Sequence, residues 1–137
     1  MEIKIGKILS VEKVEGSEKL LKLSVDLGEV GEDGHPLQPR QILSGIAKAV
    51  LELEALVGKM VPIVSNLEPR QMMGMESQGM MLCADDGMPI LLHPAREVTP
   101  GARARENVLV AVPEIARHLS NQLILRPTAG LAGPTGS

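Results

Sequence analysis

The sequence predicts an all-β protein: a small five-stranded Greek-key barrel with a short helix between strands 3 and 4 and a C-terminal extension. Short runs in which apolar and polar residues alternate recur along the chain, and turns rich in Gly and Pro separate them. Only one segment between these runs has helical spacing. At 137 residues the chain suits one domain that buries its own core. These three observations together are typical of a small barrel.

The first three strands follow from the alternation of side chains. Residues 3–11 alternate between apolar and polar types, and so do residues 20–27, with a turn between them at residues 15–19. The two strands are therefore expected to pair with each other. An acidic loop rich in Gly and Pro, residues 28–39, leads to a short third strand at residues 40–44.

The helix and the remaining strands come next along the chain. Residues 46–57 are predicted to form the helix, and residues 59–65 the fourth strand. Residues 80–84 and 89–92 are expected to form a hairpin around the sequence Asp-Asp-Gly. The five-stranded OB-fold has this layout, with its helix between strands 3 and 4. The predicted helix places four apolar residues on one face: Ile46, Val50, Leu53 and Leu56.

The C-terminal part of the chain has a different character. We expect the barrel domain to occupy residues 1–110, ending with a short strand at 108–110. Residues 111–126 form a predicted helical extension, in which an apolar residue recurs every four positions within 113–123. Residues 127–137 are small, rich in Gly and Pro, and predicted to be a disordered tail.

The stretch from residue 66 to residue 86 is the strongest candidate for a functional loop. It is expected to turn at Pro69 and Gly74, and it mixes polar residues with methionines between two predicted strands. Such a loop is too apolar for a solvent connector and too polar for a core strand. Binding residues concentrate on loops that a rigid scaffold carries. Its polar members are Asn66, Arg70, Gln71, Glu76, Ser77 and Gln78.

Charge and composition exclude several functional classes. The net charge of −3 argues against indiscriminate nucleic-acid binding, but the whole deficit lies in residues 28–39. No apolar run reaches the length of a membrane span, and the N-terminus has no signal-peptide layout, so no membrane partner is expected. The single cysteine, Cys83, excludes an internal disulfide and is expected to be a buried structural thiol. These features indicate a cytoplasmic protein.

The chain contains no Phe, Tyr or Trp. A natural chain of this length would carry roughly ten aromatic residues at ordinary usage. An engineered, aromatic-free scaffold is therefore one hypothesis for this sequence. The absence also removes base stacking on aromatic rings, the usual means of binding single strands without sequence preference.

Four motifs, in their order and spacing, closely resemble the tRNA-binding domain family over about residues 3–106. That family includes the C-terminal appendage of methionyl-tRNA synthetases, free-standing tRNA-binding proteins and a CsaA-like chaperone branch. The motifs are residues 5–8 (Ile-Gly-Lys-Ile) with 14–20 (Val-Glu-Gly-Ser-Glu-Lys-Leu), 40–48 (Arg-Gln-Ile-Leu-Ser-Gly-Ile-Ala-Lys), 56–59 (Leu-Val-Gly-Lys), and 66–70 (Asn-Leu-Glu-Pro-Arg) with 76–80 (Glu-Ser-Gln-Gly-Met).

The resemblance implies an OB-fold that binds tRNA by its shape and catalyses no reaction. It further implies homodimerisation and a methionyl-tRNA synthetase as a possible partner. Arginine pairs bidentately with phosphate, and neutral polar side chains bond phosphate or ribose oxygens. The RNA-binding residues that the resemblance implies are Arg40, Ser44, Lys48, Asn66, Arg70, Ser77 and Gln78.

Two other readings of the residues are weaker or remain open. The methionines at 72, 73, 75, 80 and 81 could bind a soft metal, but packing explains them better, and the three histidines lack zinc-ligand spacing. The sequence therefore predicts neither a metal nor a cofactor, and Asp85 and Asp86 are expected to form a turn. A chaperone-like protein that binds peptides on its pliable methionines remains an alternative to RNA binding. An engineered, aromatic-free OB scaffold with weakened or lost RNA binding is the other alternative.

Overall fold

A computed structural model describes residues 1–106, which contain nine strands and two short 3-10 helical turns. The predicted strand at 108–110, the helix at 113–123 and the tail at 127–137 lie outside the described residues and stay predictions. The elements are β1 (Ile3–Lys13), β2 (Leu21–Asp26), β3 (Arg40–Ser44), the turns Ala47–Ala49 and Leu53–Leu56, β4 (Met60–Val64), β5 (Arg70–Met72), β6 (Met75–Ser77), β7 (Met80–Met81), β8 (Cys83–Asp85) and β9 (Pro89–Leu91).

The predicted five-stranded barrel is confirmed. Five strands form an antiparallel sheet in the order β3-β2-β1-β4-β7, which curls into a nearly closed barrel. The long strand β1 pairs with β4 through its first half and with β2 through its second half. The register shifts between Ile8 and Ser10, so Leu9 is an extra residue that lets β1 bend from one neighbour to the other.

The core is aliphatic and lies inside this sheet. Along β2 buried and half-buried residues alternate strictly, because successive side chains of a strand point to opposite faces. The predicted alternation therefore identified the inward face correctly. The fully buried aliphatic side chains are Ile8, Leu21, Leu23, Val25, Ile42, Val61, Ile63 and Val64.

The prediction of one helix over residues 46–57 is wrong. The segment forms two separate 3-10 turns, and Val50 and Glu52 between them are extended. Its ends are tied to the barrel: the N–H of Ala47 donates to Lys19 O at 2.9 Å, and the N–H of Gly58 donates to Ile8 O at 2.7 Å. The barrel therefore fixes both ends of the segment, and the extended residues between the two turns interrupt the i to i−4 hydrogen bonds that one continuous helix needs. The apolar pattern is still satisfied, because the outermost apolar residues, Ile46 and Leu56, are buried.

The predicted functional loop contains a hairpin of its own. Strands β5 and β6 pair around Met73 and Gly74, both of which have positive φ, at 51° and 78°. Positive φ at both central residues is the requirement of the tight hairpin turn whose twist matches its strands. The predicted hairpin around the Asp-Asp-Gly turn is also confirmed as β8–β9, although residues 80–84 divide between β7 and β8.

The end of the described chain runs beside β1. The N–H of Ile5 donates to Ala102 O at 2.7 Å, and the N–H of Ala104 donates to Ile3 O at 2.9 Å. This segment therefore covers the half of β1 that β2 does not reach. Within residues 1–106, no helix is both long and apolar enough to cross a membrane.

Candidate nucleic-acid interface

Side chains complete the barrel where β3 meets residues 77–79, a junction that we call the seam. The N–H of Gln78 donates to Gln41 O at 2.8 Å, and the N–H of Gln41 donates to Gln78 Oε1 at 2.8 Å. The N–H of Leu43 donates to Ser77 Oγ at 3.0 Å, and that hydroxyl donates to Gly79 O at 2.9 Å. Ser77 and Gln78, both candidate RNA ligands, thus replace part of a backbone ladder.

Arg40 is held at one end of the seam by four hydrogen bonds. Its Nε and Nη2 donate to the two carboxylate oxygens of Glu29 at 2.8 and 2.6 Å. Its Nη1 donates to Ser65 O at 2.6 Å and to Gln78 O at 2.9 Å. The guanidinium therefore links the acidic loop, the end of β4 and the seam, and only 22% of its side chain is exposed.

The electrostatics of Glu29 follow from this contact. The hydrogen bond from Arg40 lowers the pKa of Glu29 below its ordinary value of 4.5, the charges of Arg40 and Lys4 act in the same direction, and burial and the charge of Glu2 oppose them. A lowered folded-state pKa means that the carboxylate stabilises the fold at neutral pH and loses this effect as pH falls through the lowered pKa.

We therefore expect Glu29→Gln to melt at a lower temperature than the unchanged chain near pH 7. At a pH below this lowered pKa the two melting temperatures should converge, because a protonated Glu29 is neutral like the glutamine that replaces it. Thermal unfolding followed by circular dichroism at both pH values measures this. A melting difference that persists unchanged at acid pH would show that the charge of Glu29 does not contribute.

A second group of charges lies beside this end of the seam. The hydroxyl of Ser65 donates to Glu2 Oε1 at 3.0 Å, and Asn66 Oδ1 accepts the backbone N–H of Glu2 at 2.7 Å. Arg103 pairs with the same Glu2 carboxylate, whose other oxygen lies 3.7 Å from Lys4 Nζ. Sequence reasoning missed Glu2, Lys4 and Arg103, because residues 2 and 103 come together only through the fold.

Arg70 differs from Arg40 in having no such partners. It is the first residue of β5, directly opposite Ser77 on β6, and it is exposed. Within residues 1–106, no hydrogen bond or ion pair engages its side chain. The hairpin that carries it is held to β3 through the seam, because Gln41 Nε2 also donates to Glu76 O at 2.8 Å. Among the residues that the structure describes, Arg70 is therefore an unpaired cation on an anchored hairpin.

Two of the seven candidates remain. Ser44 ends β3 opposite Leu21, next to the seam residue Leu43, and is half-buried. Lys48 lies on the first 3-10 turn, away from the seam, with its Nζ 3.9 Å from Glu18. The structure thus gathers six candidates around the seam and separates one from them. The six are Arg40, Ser44, Asn66, Arg70, Ser77 and Gln78.

The surface near the candidate RNA-binding residues has two open grooves. One groove of about 230 Å³ runs over the outer face of β1, β2 and β3, and Gln41 of the seam is part of its lining. A second of about 480 Å³ lies beside Lys48 and is lined also by Lys13, Ser17 and Glu18. Shallow polar grooves of this kind suit a nucleic-acid backbone, which is read by contacts along a surface.

Other side chains singled out from the sequence have ordinary surroundings. Within the described residues, His, Cys, Asp and Glu do not gather in groups of three that could hold a metal ion. Cys83 is half-buried rather than buried as expected, and this partial burial raises the pKa of its thiol above its usual value. Met81 is buried as packing requires, but Met73 and Met80 expose 56% and 45% of their surface.

Comparison with known proteins identifies relatives over the same residues. A family model described as "Putative tRNA binding domain" matches residues 3–103. A methionine–tRNA ligase of Methanosarcina acetivorans is 45% identical over 107 residues, which are 77% of this chain and 14% of the ligase. The chain therefore spans a small part of this relative.

Solved structures have the same barrel. The MetRS related protein from Pyrococcus horikoshii is 36% identical with a TM-score of 0.64, over 76% of this chain and 89% of that one. The chaperone CsaA from Bacillus anthracis is 25% identical with a TM-score of 0.64, over 76% of this chain and 90% of that one.

Proposed function

Because the chain belongs to the tRNA-binding domain family, we propose that it is a non-catalytic module that binds tRNA by its shape, either free-standing or as part of a methionyl-tRNA synthetase. A homodimer and a cytoplasmic location are part of the same proposal. The family membership supports the class of ligand. The surroundings of the candidate residues support two different roles, contact with RNA for some and support of the hairpin for others.

The main support for the proposal is that Arg70 is exposed, whereas Ser77 and Gln78 are already hydrogen-bonded to β3. Arg70 is exposed on β5, and the hairpin that presents it is anchored to β3 through Ser77 and Gln78. A guanidinium binds phosphate bidentately, and it does so best when its support is rigid before the ligand arrives. In this proposal Arg70 contacts the RNA, while Ser77 and Gln78 hold the hairpin in place.

The mode of recognition follows from the side chains that the chain has. Without aromatic rings, contact with RNA depends on phosphate, ribose and guanidinium stacking. Double-helical RNA is read in this way, mainly through its backbone geometry and its 2′-hydroxyl groups. Ser44 and Lys48, with the groove beside Lys48, supply further polar contacts of the same type.

We expect bulk tRNA to bind with an affinity that falls steeply as salt rises, because phosphate contacts release counterions. Arg70→Ala should weaken binding by about tenfold and lower the slope of log affinity against log salt by roughly one phosphate contact. Filter binding at two salt concentrations measures both quantities. The matched control is Arg96→Ala, which removes the same charge from an exposed residue. Arg96 follows β9 and belongs to none of the strands that form the seam.

Two outcomes would contradict the proposal. A folded chain that does not bind tRNA at low salt would leave the aromatic-free scaffold and the chaperone-like hypotheses. Equal losses in Arg70→Ala and Arg96→Ala would mean that net charge, rather than the hairpin, determines the affinity.

Peptide binding is a second candidate, favoured by the exposure of Met73 at the hairpin tip and Met80 on β7. Flexible methionines on a surface adapt to unrelated apolar partners. The two functions differ in one measurable respect. Binding of an unfolded polypeptide through these methionines should be insensitive to Arg70→Ala, whereas tRNA binding should not.

A further inference from the structure

The guanidinium of Arg40 donates hydrogen bonds from two sides, one to backbone carbonyls and the other to the carboxylate of Glu29. Its Nη1 donates to the carbonyls of Ser65 and Gln78, which belong to the barrel itself. Its Nε and Nη2 form a parallel pair of donors, and both bond to Glu29. A parallel pair of N–H groups matches a carboxylate and a phosphate equally well. The edge that Glu29 occupies therefore has the donor geometry that a phosphate requires.

Glu29 reaches this edge from a loop that is fastened at its base. The N–H of Gly28 donates to Asp26 Oδ1 at 2.8 Å, and the N–H of Leu37 donates to Glu29 O at 2.9 Å. The loop carries no Lys or Arg and contains the entire charge deficit of the chain. It therefore brings negative charge to a cation that the barrel holds in place without it.

Further cations lie at the same end of the barrel. Lys4 is close enough for its charge to lower the pKa of Glu29, and Lys4 and Arg103 both pair with Glu2. Three cations and two carboxylates therefore meet near Ser65. Removing one carboxylate from this group raises the local excess of positive charge from one to two, which favours an anion.

We propose that Arg40, with Lys4 and Arg103 beside it, forms a masked phosphate subsite, and that Glu29 is the internal competitor which an RNA phosphate displaces. This inference rests on the proposed tRNA binding. Once Glu29 leaves, Nη1 still bonds to two carbonyls, so the guanidinium keeps its orientation and meets the phosphate preorganised. The pair is partly exposed at 22% for each side chain, so water and salt reach it and the exchange is feasible.

The test is a tRNA titration of Glu29→Gln beside Glu32→Gln at two salt concentrations. Both variants remove one negative charge from the same loop, but within residues 1–106 Glu32 bonds to no cation. Glu29→Gln should bind tRNA about tenfold more tightly than the unchanged chain, the value of one charge-assisted contact. Its salt slope should steepen by roughly one phosphate. Glu32→Gln should show at most a small gain and no change of slope.

A second variant identifies the group that binds the phosphate. In the Glu29→Gln background, Arg40→Lys keeps the charge and removes the parallel donors, so the gain in affinity should be lost. Melting curves establish that each variant is folded at the temperature of the titration. If Glu29→Gln is unfolded at that temperature, Glu29→Asp replaces it in the titration. The shorter carboxylate pairs less well with Arg40, so a smaller gain in tRNA affinity is expected.

The outcomes separate this inference from the proposed function. If the unchanged chain binds tRNA and Glu29→Gln binds no better than Glu32→Gln, the masked subsite is refuted while tRNA binding stands. If no variant binds tRNA, the proposed function fails, and titration with inorganic polyphosphate decides the subsite. Tighter polyphosphate binding in Glu29→Gln, dependent on Arg40, supports it, and no such gain overturns it.

Discussion

Arg40→Ala is expected to lower the free energy of unfolding by about 2 to 3 kcal/mol, whereas Arg70→Ala changes it by less than about 0.5 kcal/mol. The first substitution leaves the Glu29 carboxylate and the carbonyls of Ser65 and Gln78 without their donor. A fully buried ion pair would cost more to break, but both side chains are 22% exposed and water replaces part of the loss. The second substitution removes an exposed side chain.

Urea denaturation of the two variants measures this difference directly. The substitution is chemically identical in both, so the comparison isolates the surroundings of each arginine. Equal stability of Arg40→Ala and the unchanged chain would show that the four hydrogen bonds do not hold the seam. Loss of tRNA binding in Arg40→Ala is consequently informative only where the variant is shown to be folded, while Arg70→Ala reports on RNA contact alone.

Gly79→Ala is expected to lower the free energy of unfolding by about 2 to 3 kcal/mol, because the added methyl overpacks a closed core. A Cβ at this position would lie 2.9 Å from Ile42 Cδ1, 3.0 Å from Ile63 Cγ2 and 3.1 Å from Val64 O. The isoleucine side chains can shift only into a filled core, and the carbonyl of Val64 belongs to β4. The seam would therefore open slightly at the point where Ser77 and Gln78 close it.

Gly45→Ala is the matched control for this prediction. Gly45 has no positive φ, and a Cβ there meets nothing within 4 Å, so the same methyl should be tolerated. Thermal unfolding of the two variants checks the pair, and a loss of 2 to 3 kcal/mol corresponds to roughly 10 °C or more in a domain of this size. A melting temperature of Gly79→Ala equal to that of Gly45→Ala would mean that the barrel is looser at the seam than its geometry indicates.

Stability and the proposed binding are coupled at the seam. The hairpin β5–β6 is short, and two strands alone are marginally stable in water. Gln41 and Leu43 bond to Glu76 and Ser77 of the hairpin and thereby hold Arg70 in a defined position. Substitutions at Ser77 and Gln78 are therefore expected to reduce RNA binding through the position of the hairpin, whether or not these side chains touch RNA.

Local pattern predicted the fold well where one strand face is buried. The alternation along β2 predicted its core residues, and the bounds of β3 were predicted without error at Arg40 and Ser44. It failed over residues 46–57, where helical spacing of apolar side chains is compatible with two 3-10 turns. The two ends of that segment bond to Lys19 and Ile8, residues distant in sequence that no local pattern reveals.

The sequence predicted which residues belong to the candidate site, but it did not predict which of them contact RNA and which hold the fold together. The resemblance directs attention to Arg40 and Arg70 alike, since both are arginines in motifs of one family. Their difference depends on Glu29, whose significance the sequence shows only as an acid in an acidic loop. Glu2 and Arg103 are separated by 101 positions and meet only in the folded chain.

The sequence by itself determined the all-β class, the positions of the main strands, the inward faces and the family, because each depends on local periodicity or on motifs in fixed order. Only the tertiary structure decided which polar side chains are already engaged. A side chain is directly available to a ligand when its own fold does not satisfy it, and a satisfied one must first give up an internal partner; both conditions depend on residues distant in sequence. Arg40 is engaged by Glu29, Ser65 and Gln78, and Arg70 is left exposed.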